Sequence, residues 1–122
     1  MNAARPEFRG GRNVALKLPA RHYAAALAFY RDVLGLAIVH EGESGAVVDF
    51  GPFRLWLDRA PQQSQPDIWL ELTVDDTVAA ERYLADHGIH RCDEVEKLPG
   101  GFDGFWVAAP AGTIHLVSTD AG

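Results

Sequence analysis

The chain has 122 residues, of which 48% are hydrophobic, and this size and composition predict one folded domain with an apolar core. Its formal net charge of −6 argues against a nucleic-acid partner, which would require a basic surface. A single cysteine, Cys92, excludes an internal disulfide framework, and no apolar run reaches the roughly 18 residues of a membrane span. We therefore expect a cytoplasmic protein that binds neither nucleic acid nor membrane.

The first half of the chain predicts a strand, a helix and three further strands. Residues 1–11 lack the apolar segment of a signal peptide and are expected to form a loose arm. In the helix, apolar residues recur at steps of four, three and four, and Gly35 supplies a left-handed stop. The strands are predicted at residues 13–18, 36–41, 46–50 and 53–58, with the helix at 21–34.

The second half repeats this order after a proline-containing linker at residues 61–66. The helix has an aspartate at its start and a glycine at its end, as helix termini commonly do. The predicted elements are a strand at 68–74, a helix at 75–88 and strands at 89–98, 102–110 and 113–119. The single domain, residues 1–122, is thus expected to contain two similar modules, residues 12–60 and 67–119.

Four segments carry a resemblance to a known group of proteins: NVALKLPA, ALAFYRDVLGL, VDDTVAAERYLADHGI and APAGTIHLV. They resemble the vicinal oxygen chelate superfamily, which includes glyoxalase I, extradiol dioxygenases and bleomycin-resistance proteins. The resemblance implies an α+β fold in which two βαβββ modules form curled mixed sheets around a cavity. It also implies a small-molecule ligand and a homodimer.

The resemblance also indicates where metal-using relatives place their ligands. These positions fall on Asn13, Trp56, Trp69 and His115, the last only if one residue is deleted after Gly112. Indoles do not coordinate divalent cations and an asparagine oxygen is a weak donor, so we expect no metal cofactor.

A rearranged metal site stays open as an alternative. Strand alternation turns Glu71 toward the face of Trp69 and Asp58 toward the face of Trp56, so both carboxylates could join His115. Such a site would support a metal-dependent lyase, isomerase or dioxygenase of the same superfamily.

Our preferred interpretation is a metal-independent protein that binds an aromatic or cationic small molecule in an aromatic cavity. Phe102 and Phe105, in a glycine-rich loop, are expected to close over the ligand, and His115 is expected to make a polar contact. The alternative for the tryptophans is ordinary core packing, and a protein-contact scaffold is a third interpretation. No catalytic residue is assigned, and the candidate ligand-binding residues are Asn13, Trp56, Trp69, Glu71, Phe102, Phe105, Trp106 and His115.

Overall fold

The computed structural model describes residues 4–119, which form eight strands and two α-helices, with one π-helical and two 3₁₀ turns. In chain order these are β1 (Arg9–Gly10), β2 (Asn13–Leu18), α1 (Ala20–Ala28), β3 (Ile38–Gly42), β4 (Gly45–Phe50), β5 (Phe53–Arg59), β6 (Asp67–Val74), α2 (Thr77–Asp86), β7 (Gly104–Ala108) and β8 (Ile114–Thr119). The chain divides into two units, residues 12–69 and residues 1–11 with 70–122. No helix among the described residues is both long and apolar enough to cross a membrane.

The 12–69 unit is a mixed sheet covered on one face by α1. Its strand order is β3-β4-β5-β2, and residues 67–69 of β6 pair with β2 at the edge. β2 and β5 run parallel, whereas the remaining pairs are antiparallel. Side chains on alternate positions of these strands, such as Leu18, Val48 and Leu57, pack against Tyr23 and Leu27 of α1. The intervening positions therefore project from the opposite face.

The other unit builds its sheet in the order β1-β6-β8-β7. β6 and β8 run parallel, and α2 packs on one face through a core of Val74, Ala80, Phe105, Val107 and Val117. The Asp76 side chain caps α2 by accepting hydrogen bonds from the backbone N–H groups of residues 78 and 79. These elements confirm the predicted α+β class with mixed sheets.

The N-terminal segment is not the loose arm that the sequence predicts. Arg9 and Gly10 pair antiparallel with Thr73 and Leu72 of β6, and Phe8 packs against the core beside α2. Residues 1–3 of that arm lie outside the described residues. Two residue pairs and the partial burial of Phe8 attach this part of the chain to the sheet.

The predicted strand at 89–98 is also wrong. Only Arg91 forms a bridge, to Val107, and residues 93–95 then make a single 3₁₀ turn. An Asp93 carboxylate oxygen accepts the backbone N–H of Trp106 at 3.1 Å and so takes the place of a strand partner.

The end of α1 widens into a different helical geometry. Residues Phe29–Val33 form one π-helical turn, and Gly35 then adopts φ = 72°, the left-handed conformation predicted for the helix stop. The chain can therefore turn directly into β3.

Candidate functional site

The face of the 12–69 unit opposite α1 carries polar and aromatic side chains. In the sheet register, Ala15 of β2 lies between Trp56 of β5 and Trp69 of β6. One step along, Lys17 lies between Asp58 and Asp67. We call this surface the Trp56 face; its residues are Asn13, Ala15, Lys17, Val47, Asp49, Arg54, Trp56, Asp58, Asp67 and Trp69.

Asn13 and Trp56 are joined directly on this face. The indole Nε1–H of Trp56 donates to Asn13 Oδ1 at 2.7 Å. Trp56 is nevertheless 39% exposed, so one fixed indole is presented to solvent. Because its N–H is already bonded, the exposed part of Trp56 can offer a ligand only its aromatic surface.

Trp69 has a different environment, although it occupies the same row of the sheet. Its indole is 3% exposed, its Nε1–H donates to Asp67 Oδ2 at 2.9 Å, and the Lys17 ammonium lies 4.4 Å from its ring centroid. The predicted exposure of Trp69 to a ligand is therefore not found.

Lys17, which is not among the candidate ligand-binding residues, is the most deeply buried charge on this face. The residue is 2% exposed, and its ammonium donates to Asp58 Oδ2 at 2.8 Å. A lysine in an apolar strand was the available signal, since a buried ammonium requires a carboxylate partner.

Glu71 and His115 lie on opposite faces of the sheet in the other unit. In the parallel register Glu71 pairs with Leu116, whereas His115 pairs with Leu70. Paired residues share a face, so His115 is on the side covered by α2, and its Nδ1 lies 3.0 Å from the Thr113 carbonyl oxygen. The alternative ligand set of His115, Glu71 and Asp58 is therefore wrong at its first pair.

The Glu71 side chain is accommodated by a glycine. A Cβ on Gly11 would collide with the Glu71 carboxyl group, and the Gly11 N–H donates to the Glu71 carbonyl oxygen at 2.8 Å. Gly11 thus permits Glu71 to lie against the backbone that precedes β2, a role that the sequence did not reveal.

The three aromatic candidates that precede β8 have separate roles. Phe105 is 2% exposed and belongs to the core under α2, so its predicted role in closing over a ligand is wrong. Trp106 is 5% exposed, projects from the opposite face in line with Leu116, and donates its Nε1–H to the Glu96 carbonyl oxygen at 3.0 Å. Phe102 is exposed on the loop that leads into β7.

Two chemical properties of the described residues bear on reactivity. The described residues contain no group of three or more His, Cys, Asp or Glu side chains arranged to hold a metal ion. Burial raises the pKa of the Cys92 thiol, and the nearby Glu94 and Asp93 carboxylates raise it further. Cys92 is thus a poor nucleophile at neutral pH.

Comparison with known proteins places the chain in a family. A model of the glyoxalase-like domain matches residues 13–117. The chain belongs to the glyoxalase-like domain family. No functionally curated protein matches it significantly.

Solved structures of this glyoxalase-like fold come from several enzymes. A Mn(II)-bound glyoxalase from Novosphingobium aromaticivorans is 27% identical with a TM-score of 0.62, and the match covers 91% of this chain. A methylmalonyl-CoA epimerase from Mycobacterium tuberculosis is 18% identical with a TM-score of 0.65, covering 100% of this chain and 94% of its own. A variant of homoprotocatechuate 2,3-dioxygenase from Brevibacterium fuscum is 21% identical with a TM-score of 0.65, covering 94% of this chain. The glyoxalase-like chain spans only 38% of the glyoxalase and 33% of the dioxygenase.

The side chains at the implied ligand positions of this glyoxalase-like protein do not fit a divalent cation. The Asn13 oxygen is bonded to an indole N–H, and two of the other positions are Trp56 and Trp69. His115 lies on the face that α2 covers, whereas Leu116 lies on the opposite face. A divalent site needs about three oxygen, nitrogen or sulfur donors, and these positions do not supply them.

Proposed function

We propose that this glyoxalase-like protein binds a small planar molecule, aromatic or cationic, without a metal ion, and that Trp56 is its stacking surface. The observation that carries the proposal is the 2.7 Å hydrogen bond between Trp56 Nε1 and Asn13 Oδ1. It engages the Asn13 amide oxygen and the single polar atom of Trp56, both at implied metal positions, and it holds an exposed indole in one orientation.

Charge on the Trp56 face supports a neutral or cationic ligand over an anionic one. Three carboxylates of this face, those of Asp49, Asp58 and Asp67, lie at alternate positions of β4, β5 and β6. Lys17 and Asp58 offset each other in their ion pair. The other charged residues of this face are Asp49, Asp67 and Arg54, so the face keeps a net negative charge. A cation over the indole would gain about 0.5–2 kcal/mol from cation–π attraction.

The second candidate function is a metal-dependent enzyme of the same family. The 27% identity to a Mn(II)-bound glyoxalase favours it. It would require a ligand set other than Asn13, Trp56, Trp69 and His115, since these residues do not supply the donors.

The test is a titration of chelator-treated protein with 9-aminoacridine, a planar aromatic cation. Trp56→Phe should weaken binding by about three- to tenfold, because stacking contributes about 0.5–1.5 kcal/mol beyond burial. Asn13→Ala should weaken binding less, since it frees the indole without removing it.

Trp106→Phe is the matched control for this titration. It removes an indole that is 5% exposed, so it should lower the free energy of unfolding and leave the affinity unchanged. Equal affinity losses in Trp56→Phe and Trp106→Phe would contradict stacking on Trp56.

We also propose that the protein is a cytoplasmic homodimer. Apolar side chains on the β4–β5 hairpin and the π-helical turn support a protein contact there, since Phe29, Phe50 and Phe53 are 44–47% exposed. Light scattering should give about twice the 13.3 kDa chain mass at micromolar concentration. A monomer mass throughout that range would contradict the dimer.

A further inference from the structure

A pocket lies where the predicted strand at 89–98 gives way to a turn. It is a depression of about 390 Å³ that is open to solvent. Its lining residues are Arg91, Asp93, Glu94, Glu96, Lys97, Leu98, Phe102 and Gly104. Every lining residue belongs to the unit that contains residues 70–119.

One aromatic side chain, Phe102, lines this pocket. A Cβ on Gly104 would lie 2.6 Å from Phe102 Cε2, so the absence of a side chain at Gly104 makes room for the ring. Phe102 N–H donates to the Pro99 carbonyl oxygen at 3.1 Å, and Thr77 Oγ1 donates to Asp103 Oδ1 at 2.6 Å. Phe102 is 43% exposed, so its ring presents an apolar surface to the pocket.

Among the charged residues that line the pocket, carboxylates outnumber cations. The Arg91 guanidinium is bound by Asp93 at 2.6 Å and by Glu81 at 3.4 Å, so its charge is offset locally. Of the other lining residues, Glu94 and Glu96 are acidic and Lys97 is basic. The same negative charge acts on the neighbouring thiol, since Glu94 and Asp93 contribute to the raised pKa of Cys92.

We propose that this pocket binds a small organic ammonium ion, with its apolar body on Phe102 and Leu98 and its cationic head beside Glu94. The three lining carboxylates outnumber Lys97 and the paired Arg91, so they favour an ammonium over an anion, while Phe102 and Leu98 pack on the apolar body of the ligand. The site is independent of the proposed function, because it shares no residue with the Trp56 face.

The experiment is a titration of ¹⁵N-labelled protein with benzyltrimethylammonium, followed by backbone amide chemical shifts. We expect the largest shifts within residues 91–104 and a dissociation constant of about 1 mM. Benzyl alcohol, which keeps the ring and lacks the charge, should bind at least about fivefold more weakly. Raising the salt concentration should weaken binding of the cation only.

Two variants and one control locate the site. Glu94→Gln should weaken binding about three- to fivefold, and Phe102→Leu about two- to fivefold, with the amide spectrum of the folded protein retained. Glu43→Gln makes the same change in net charge at an exposed carboxylate of the 12–69 unit, and it should leave binding unchanged.

Four outcomes would overturn the proposal. These are no shifts within 91–104 at about 20 mM ligand, largest shifts at Trp56, equal binding of benzyl alcohol, and equal effects of Glu94→Gln and Glu43→Gln. Shifts at Trp56 that Trp56→Phe abolishes would leave the proposed function intact, so the two proposals fail separately.

Discussion

Replacing Lys17 with methionine is expected to destabilise the fold while keeping the apolar stem of the side chain. Lys17 is 2% exposed, its ammonium is 2.8 Å from Asp58 Oδ2, and it lies 4.4 Å from the centroid of the Trp69 ring. The substitution removes both contacts and leaves the Asp58 carboxylate, which is 25% exposed, without this partner.

The expected loss of unfolding free energy is about 2 kcal/mol. A hydrogen bond between charged groups contributes about 1.5–3 kcal/mol and a cation–π contact about 0.5–2 kcal/mol. Part of this sum is offset because methionine does not incur the desolvation penalty of a buried ammonium. At this chain length the loss corresponds to a fall of about 6–12 °C in Tm.

The assay is urea unfolding of Lys17→Met, Asp58→Asn and the double variant. The two single changes should couple by about 1–2 kcal/mol, since each removes the same contact. Lys97→Met, an exposed lysine, is the control and should lie within about 0.5 kcal/mol of the parent protein. Coupling below about 0.3 kcal/mol would refute a stabilising Lys17–Asp58 pair.

Three further variants or reactions test the local structure. The Tyr23 hydroxyl is buried and has no hydrogen-bond partner among residues 4–119, so Tyr23→Phe should raise the free energy of urea unfolding by up to about 1 kcal/mol; a loss of that size would reveal a partner. Gly45 has φ = 154° and a Cβ there would collide with the Leu57 carbonyl oxygen, so Gly45→Ala should cost more than about 2 kcal/mol, whereas Gly42→Ala, whose Cβ would meet its nearest atom at 3.6 Å, should cost less than about 1 kcal/mol. The raised pKa of Cys92 leaves less thiolate at pH 8, so iodoacetamide should alkylate it more slowly than free cysteine, and a faster reaction would contradict the cause assigned to the shift.

Most of the fold could be predicted because its strands and helices follow regular apolar patterns. The helix stop at Gly35 and the cap at Asp76 are also local, so their residue types were sufficient to locate them. The absence of a strand at 89–98 could not be predicted in this way. The Asp93 side chain accepts the backbone N–H of Trp106, which is thirteen residues away in sequence, and this bond replaces strand pairing. Phe8 packs against the core under α2 through contacts with residues that are distant in sequence.

The site was harder to predict because its chemistry depends on single positions along strands. Side chains alternate with a period of two, so an alignment shifted by one residue assigns a position to the wrong face. The deletion assumed before His115 made this error, because Leu116, and not His115, lies on the face opposite α2. Trp56 and Trp69 share a row of the sheet, yet their exposures differ, 39% against 3%. The positions alone do not distinguish a stacking surface from a buried support for Lys17.

The most direct test of metal-independent binding at Trp56 is the affinity for 9-aminoacridine measured twice on the same protein. One sample is treated with EDTA and dialysed, and the other is then supplied with Mn(II). Because Asn13 Oδ1 is held by Trp56 Nε1 at 2.7 Å, we predict dissociation constants that agree within about twofold. Binding that appears only with Mn(II), and that Asn13→Ala abolishes, would contradict the proposal and favour the metal-dependent enzyme.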